Sequence, residues 1–117
     1  ADIAFPPERL EEWSLRYRRD IRETGITGVV FGHIQEAHLH VNLLPATLEE
    51  QRQGQGMIEG WCAAAVAQGG RVADENGIGK QKRDWFLGSV TPEQLEAARK
   101  IKAFFDPEGL LNPGNML

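Results

Sequence analysis

The stretch FGHIQEAHLH, Phe31 to His40, holds all 3 histidines of the chain. Imidazole is the commonest metal ligand and the side chain whose unperturbed pKa, about 6.5, lies nearest neutrality. Metal binding and proton transfer are therefore the two chemistries this segment offers. His38 and His40 alternate, so a strand would project both from one face. His33 joins them there if the chain reverses between the two positions. Two opposed imidazoles can share a metal ion at about 2.0–2.1 Å if it is zinc, but a catalytic site typically has three protein ligands and an open position. Glu36, Asp74 and Glu75 are the candidates for the third ligand.

A hairpin is the element that would bring these residues together. Strands over Ile26–Gln35 and His38–Leu44, with the turn at Glu36-Ala37, pair Gln35 with His38, Ile34 with Leu39, His33 with His40 and Phe31 with Asn42. One face then carries Val30, Ile34, Leu39, Val41 and Leu43, and the other carries His33, Gln35, His38, His40 and Asn42. A slip by one residue would scramble that sorting, which is what specifies the register.

Helices flank the hairpin. After Pro6-Pro7, the apolar residues Leu10, Trp13, Tyr17 and Ile21 recur at helical spacing, and Gly25 suits a left-handed C-terminal cap. A second helix starts at Thr47 with Glu50 as its capping-box partner, buries Met57, Ile58, Trp61 and Ala65, and ends at Gly69-Gly70. Gly54 and Gly56 weaken its early turns, by about 1 kcal/mol each relative to alanine. A third starts at Thr91, with Pro92 first in the helix, Gln94 completing a capping box, and Leu95, Ala98, Ile101 and Phe105 as its stripe. Asp106-Pro107-Glu108-Gly109 stops it. Gly70–Asp74 reads as a short third strand. The class is α+β: helices on one face of a small antiparallel sheet, followed by a C-terminal tail. Three strands make a thin sheet, so the 117 residues are expected to be one unit, a processed or truncated part of something larger.

Composition narrows the function. With 41% hydrophobic and 26% charged residues, the chain is neither disordered nor collagenous. Its 13 basic residues are outnumbered by 17 acidic ones, for a net charge of −4. They gather only at Arg16, Arg18, Arg19 and Arg22, and at Lys80, Lys82 and Arg83, which disfavours nucleic acid as a partner. Cys62 is alone and forms no intrachain disulfide, in keeping with an expected cytoplasmic location. No apolar run approaches the roughly 20 residues of a membrane span, and no signal peptide is visible.

Three blocks carry a family likeness: GHIQEAHLHVNLL (Gly32–Leu44), ADENGIGKQKRDWF (Ala73–Phe86) and FDPEGLLNPGNML (Phe105–Leu117). In this order they resemble the C-terminal region of FAD-linked oxidases of the vanillyl-alcohol-oxidase type, on the D-lactate, glycolate and D-2-hydroxyglutarate dehydrogenase side. The likeness spans nearly the whole chain, and the last block is its most specific part. It implies the C-terminal part of a larger flavoprotein, whose N-terminal FAD-binding domain is not in this sequence. It also implies a partial ferredoxin-like sheet. The expected reaction is oxidation of a 2-hydroxy acid to a 2-oxo acid with hydride transfer to FAD. The likeness places zinc or manganese ligands at His33, His40 and Glu75, and a flavin-side contact at Asn112.

Two departures from the family pattern bear on chemistry. Gln35-Glu36-Ala37 stands where the family has Gly-Asp-Gly, so a wider or bulged turn is expected. Asn76 stands where the family has the histidine that takes the substrate's hydroxyl proton, and an amide cannot be that base. His38 in turn stands where the family has asparagine, so the exchange suggests His38 as the replacement base. Two other readings stay open: a non-catalytic binding or assembly module, and a relative with different flavin chemistry such as alkyl transfer. The fragment alone is expected to be inactive, and a homodimer remains open.

Overall fold

The structure, a computed structural model, describes all of residues 1–117. It divides into two compact units, Ala1–Glu75 and Asn76–Leu117. The first contains strand β1 (Asp2–Ala4), helix α1 (Leu10–Thr24), strands β2 (Thr27–His33) and β3 (His38–Leu44), helix α2 (Leu48–Ala67) and strand β4 (Arg71–Val72). All neighbours in the sheet are antiparallel, in the order β2-β3-β1-β4. This β-α-β-β-α-β arrangement is the complete ferredoxin-like, split βαβ motif. The expected thin sheet of three strands is thereby corrected. The fourth strand is β1, at the very start of the sequence and in the middle of the sheet. Its three residues precede Pro6-Pro7 and are too few to mark a strand by themselves.

Register sorts the two faces. Ile3 lies opposite Leu39 and Val72, and Val30 opposite Val41, on the face that receives α1 and α2. There Phe5, Trp13, Tyr17, Trp61 and Ala65 are buried with Ile3, Leu39 and Val41. Phe5 stacks on Trp13 at 4.5 Å and Tyr17 meets Trp61 edge-on at 4.6 Å. Burying each large apolar side chain contributes about 1.5–3 kcal/mol, so this aromatic cluster anchors both helices to the sheet. Gly54 contributes by being small: a Cβ there would come within 3.2 Å of Leu43. Its cost in helix propensity is offset by close packing of α2 on β3.

Both buried indoles are satisfied. Trp13 Nε1 donates to Gln68 Oε1 at 3.0 Å, and Trp61 Nε1 donates to Asp20 Oδ2 at 2.8 Å. Burial alone would raise the Asp20 pKa, but the Trp61 and Arg19 hydrogen bonds outweigh it and hold the carboxyl below its ordinary value. Tyr17 differs: its hydroxyl is buried without a hydrogen-bond partner, and desolvation keeps it neutral by raising its pKa. An unsatisfied buried hydroxyl costs about 1–3 kcal/mol. Tyr17→Phe is therefore expected to stabilise the chain by about 1 kcal/mol, read as a higher urea midpoint at unchanged slope.

The helix ends follow the sequence with one exception. Gly25 is left-handed at φ 71° and closes α1. Thr47 accepts from Glu50 N at 3.1 Å, but Glu50 turns to Ala46 N at 2.6 Å, so only half of the expected capping box forms.

The second unit holds helix α3 (Arg83–Ser89), which the sequence reading did not include, and helix α4 (Pro92–Phe105). Thr91 and Gln94 complete the reciprocal box on α4 at 2.8 and 3.2 Å. The stripe expected on α4 is not buried: Ile101 and Phe105 are exposed, as are Phe104, Leu110 and Leu111. Asp106 ends α4 and organises the tail. Its carboxylate accepts from Leu110 N at 2.8 Å and Leu111 N at 3.0 Å, and pairs with Lys102. The Lys102 bond is the largest influence holding its pKa below the ordinary carboxylate value.

Candidate metal centre

The sheet face turned away from α1 and α2 carries the histidines. β2 and β3 pair His33 with His38, Gly32 with Leu39, Phe31 with His40 and Val29 with Asn42. The expected register is corrected by two residues. The sorting of faces survives because a shift of two preserves side-chain parity. The cause lies in the turn. Without glycines, Ile34–Glu36 form a 3-10 turn closed by Ala37 in the left-handed region at φ 49°. Ile34 and Gln35 thus leave the ladder, and Ile34 is 73% exposed rather than part of the apolar face.

His33 and His40 become diagonal neighbours, with ring centroids 6.2 Å apart. His38 sits between them, 6.0 Å from His33 and 4.5 Å from His40. The group they share is the Glu75 carboxylate. Glu75 Oε1 lies 3.1 Å from His33 Nε2 and 3.3 Å from His38 Nδ1, and Oε2 lies 3.2 Å from His40 Nε2. His38 is 1% exposed and its Nε2 is 2.7 Å from Oδ1 of buried Asp2.

Local bonds explain why Glu75 is the carboxylate that faces the rings. Ala73, at φ 59°, turns the chain out of β4, and its N–H donates to Asp2 O at 2.9 Å. Asp74 is then taken by Arg71, with Nε–Oδ1 at 2.8 Å and Nη2–Oδ2 at 3.2 Å. That bidentate pair is the main reason the Asp74 pKa is lowered. Glu36 lies in the exposed turn. Of the three candidates, Glu75 alone belongs to the donor set with His33 and His40, whose ligand atoms all lie within 4.8 Å of one another.

The donor set suits zinc. Ligands about 2.0–2.1 Å from a tetrahedral ion stand about 3.3 Å apart; His33 Nε2 and His40 Nε2 approach Glu75 to 3.1 and 3.2 Å, and the ligand atoms of the three residues lie within 4.8 Å of one another. Imidazole and carboxylate are borderline-to-hard ligands that also accept manganese.

Asn76 and Asn112 belong to the second unit. Asn112 is left-handed at φ 47° and lines a shallow hollow of about 370 Å³ with Ile78, Lys102, Phe105, Leu111 and Met116. The residue that sequence reasoning missed is Asp2. Its signal was the alternation in Asp2-Ile3-Ala4, which shows its meaning only once β1 is placed beside β3.

A family model described as FAD linked oxidases, C-terminal domain, matches residues 1–116. The chain belongs to this family. It is 30% identical over 118 residues to the probable mitochondrial D-lactate dehydrogenase of Danio rerio, covering 99% of this chain and 24% of that protein. It is 34% identical over 92 residues to the D-2-hydroxyglutarate dehydrogenase of Stutzerimonas stutzeri, covering 75% and 20%. It is 31% identical over 127 residues to the D-lactate dehydrogenase of Archaeoglobus fulgidus, covering 99% and 26%. The chain thus spans about a quarter of the length of these relatives. No helix is long and apolar enough to cross a membrane.

Proposed function

We propose that this chain is the substrate-side portion of an FAD-dependent dehydrogenase that oxidises a 2-hydroxy acid to its 2-oxo acid. The observation that carries the reading is the approach of three imidazoles to one carboxylate, on the sheet face turned away from α1 and α2. His33, His40 and Glu75 would hold a divalent metal, zinc or manganese. Such an ion supplies Lewis-acid polarisation of the hydroxy acid's oxygens. FAD, held by the flavin-binding domain, supplies the two-electron acceptor. Asn112, in its hollow, is the proposed contact toward that domain.

The chain's own residues set the site's polarity. Glu75 brings negative charge to three rings, and β3 fixes two of those rings in a buried strand. His40 is backed by Phe31 at 5.1 Å, which limits the ring's freedom. Asn76 can hydrogen-bond a substrate oxygen but cannot take its proton. His38 has one ring nitrogen on Asp2 and the other facing Glu75, so its place is inside the cluster.

The reading is tested by mixing the full-length protein, anaerobically, with D- and L-lactate and D- and L-2-hydroxyglutarate. The expected result is loss of the oxidised-flavin absorbance with at least one acid and appearance of the matching 2-oxo acid. Flavin that stays oxidised across a broad panel of 2-hydroxy acids would sink the substrate assignment and favour different flavin chemistry.

A further inference from the structure

We propose that the strip formed by Phe31, Val29 and Leu44 receives an apolar side chain of the substrate. The site then takes a 2-hydroxy acid whose alkyl or aromatic side chain is longer than a methyl, in preference to one with a second carboxylate. The inference rests on the reading above and adds which acid the same site selects.

Register places the strip. Paired residues in an antiparallel sheet project to the same side, and so do residues two apart along a strand. β2 and β3 pair Phe31 with His40, Val29 with Asn42 and Thr27 with Leu44. All of these therefore stand on the histidine face, in rows that run from the metal-ligand candidates towards the far end of the hairpin. The Phe31 ring lies against the His40 ring, with 5.1 Å between centroids. Val29 follows Phe31 along β2, and Leu44 is its diagonal neighbour on β3. Same-face residues are about 6.6–6.8 Å apart along a strand and diagonal neighbours about 7–8 Å apart, so the three make one continuous surface.

Exposure shows that this surface is unfilled. Phe31, Val29 and Leu44 are each more than half exposed, whereas the opposite face of β3 buries Leu39 and Val41. A single exposed apolar side chain needs no explanation. Three in adjacent rows, beginning at a metal-ligand candidate, mark a binding surface.

Charge decides what fills it. Thr27 and Asn42, which border the strip, offer hydrogen bonds but no charge. The one arginine on this face of the sheet is Arg71, paired with Ala4 on β4. β4 lies three strand spacings from β2, about 14 Å. Both Asp74 oxygens already engage that arginine. A carboxylate laid along the strip finds no cation there, and burying an unpaired charge is costly. An alkyl group meets no such penalty and gains about fourfold in affinity per methylene buried. The methyl of lactate extends only one bond, about 1.5 Å, past the hydroxyl-bearing carbon. It is too short to cross from the His40 row to the Val29 row.

The test is calorimetric titration of the oxidised, full-length, zinc-loaded flavoprotein with 2-oxo acids, the products of the proposed reaction. Pyruvate, 2-oxobutyrate and 2-oxovalerate lengthen the side chain by one methylene at each step. 2-Oxoglutarate replaces the end methyl of 2-oxovalerate with a carboxylate. Affinity is expected to rise about fourfold per step, or about 15-fold from pyruvate to 2-oxovalerate. 2-Oxoglutarate should bind more weakly than 2-oxovalerate. Val29→Lys puts a cation in the strip and should reverse that last preference. Val29→Thr keeps the β-branched shape that suits a strand and should flatten the rise with chain length, which secures the test if the lysine variant does not fold. Anaerobic flavin reduction by 2-hydroxyvalerate should outpace reduction by lactate and by 2-hydroxyglutarate. Affinity that does not rise with chain length, tighter binding of 2-oxoglutarate in the parent, or preferences that neither variant alters would each overturn the inference. If 2-hydroxy acids still reduce the flavin in those cases, the functional reading stands without it. Flavin that no 2-hydroxy acid reduces overturns both.

Discussion

Glu75→Gln is expected to abolish tight metal binding while leaving the fold in place. Glu75 is the one group that all three histidines face, through both of its oxygens. Its side chain is 39% exposed, so the change to an isosteric amide leaves no buried cavity. The amide keeps the shape and loses the charge, and its NH2 presents donors where a cation would sit. Zinc affinity should fall by more than the roughly 100-fold that loss of an outer-shell partner can cause. A ligand that binds only the native state stabilises by RT ln(1 + [L]/Kd), about 2.7 kcal/mol at a hundredfold excess over Kd. Zinc should therefore raise the melting temperature of the parent and leave that of Glu75→Gln unmoved. An equal zinc-induced shift in both would remove Glu75 from the centre. Equal melting in the absence of metal would show that the fold does not depend on it.

The polar face of the hairpin was legible because a strand alternates with a period of two, and one alternation places His38 and His40 together whatever the exact pairing. The register was not legible to the residue. It depends on how much chain the turn consumes, and Ile34–Ala37 consume more than a two-residue turn would. The Thr91 box was legible because capping is local chemistry. Helix α3 was not, since Lys82 at its start provides no side-chain cap. Strand β1 was hidden for a different reason. Its three residues belong to the sheet only through partners far along the chain, His38 to His40 on one side and Arg71-Val72 on the other. Asp2 disappeared from view with it. Glu75 could be distinguished from Asp74 in the sequence only by family likeness. In the structure the distinction is physical, because Arg71 engages Asp74 and leaves Glu75 to the rings.

Gly32→Ala is expected to do the greatest damage to the fold for the smallest change in composition. Gly32 pairs with Leu39 next to the turn, immediately before His33. Its φ is 152°, and an added Cβ would lie 2.1 Å from the carbonyl oxygen of His38 and 3.0 Å from Leu39 Cα. Both are backbone atoms, so no side chain can rotate away to relieve the clash. The strands must part at the point where β2 hands over to the turn. Overpacking of this kind costs about 1–3 kcal/mol, occasionally more, and here an unfavourable φ adds to it. A loss of about 3 kcal/mol is expected in urea unfolding. Zinc affinity should fall as well, because the movement carries His33 away from Glu75 while His38 and His40 stay in β3. Gly56→Ala is the matched control. A Cβ at Gly56 meets nothing within 4 Å, and in α2 the change should stabilise by up to about 1 kcal/mol. If Gly32→Ala behaved like Gly56→Ala, β2 could not approach β3 this closely. The diagonal placement of His33 and His40, and with it the metal centre built on that placement, would have to be redrawn.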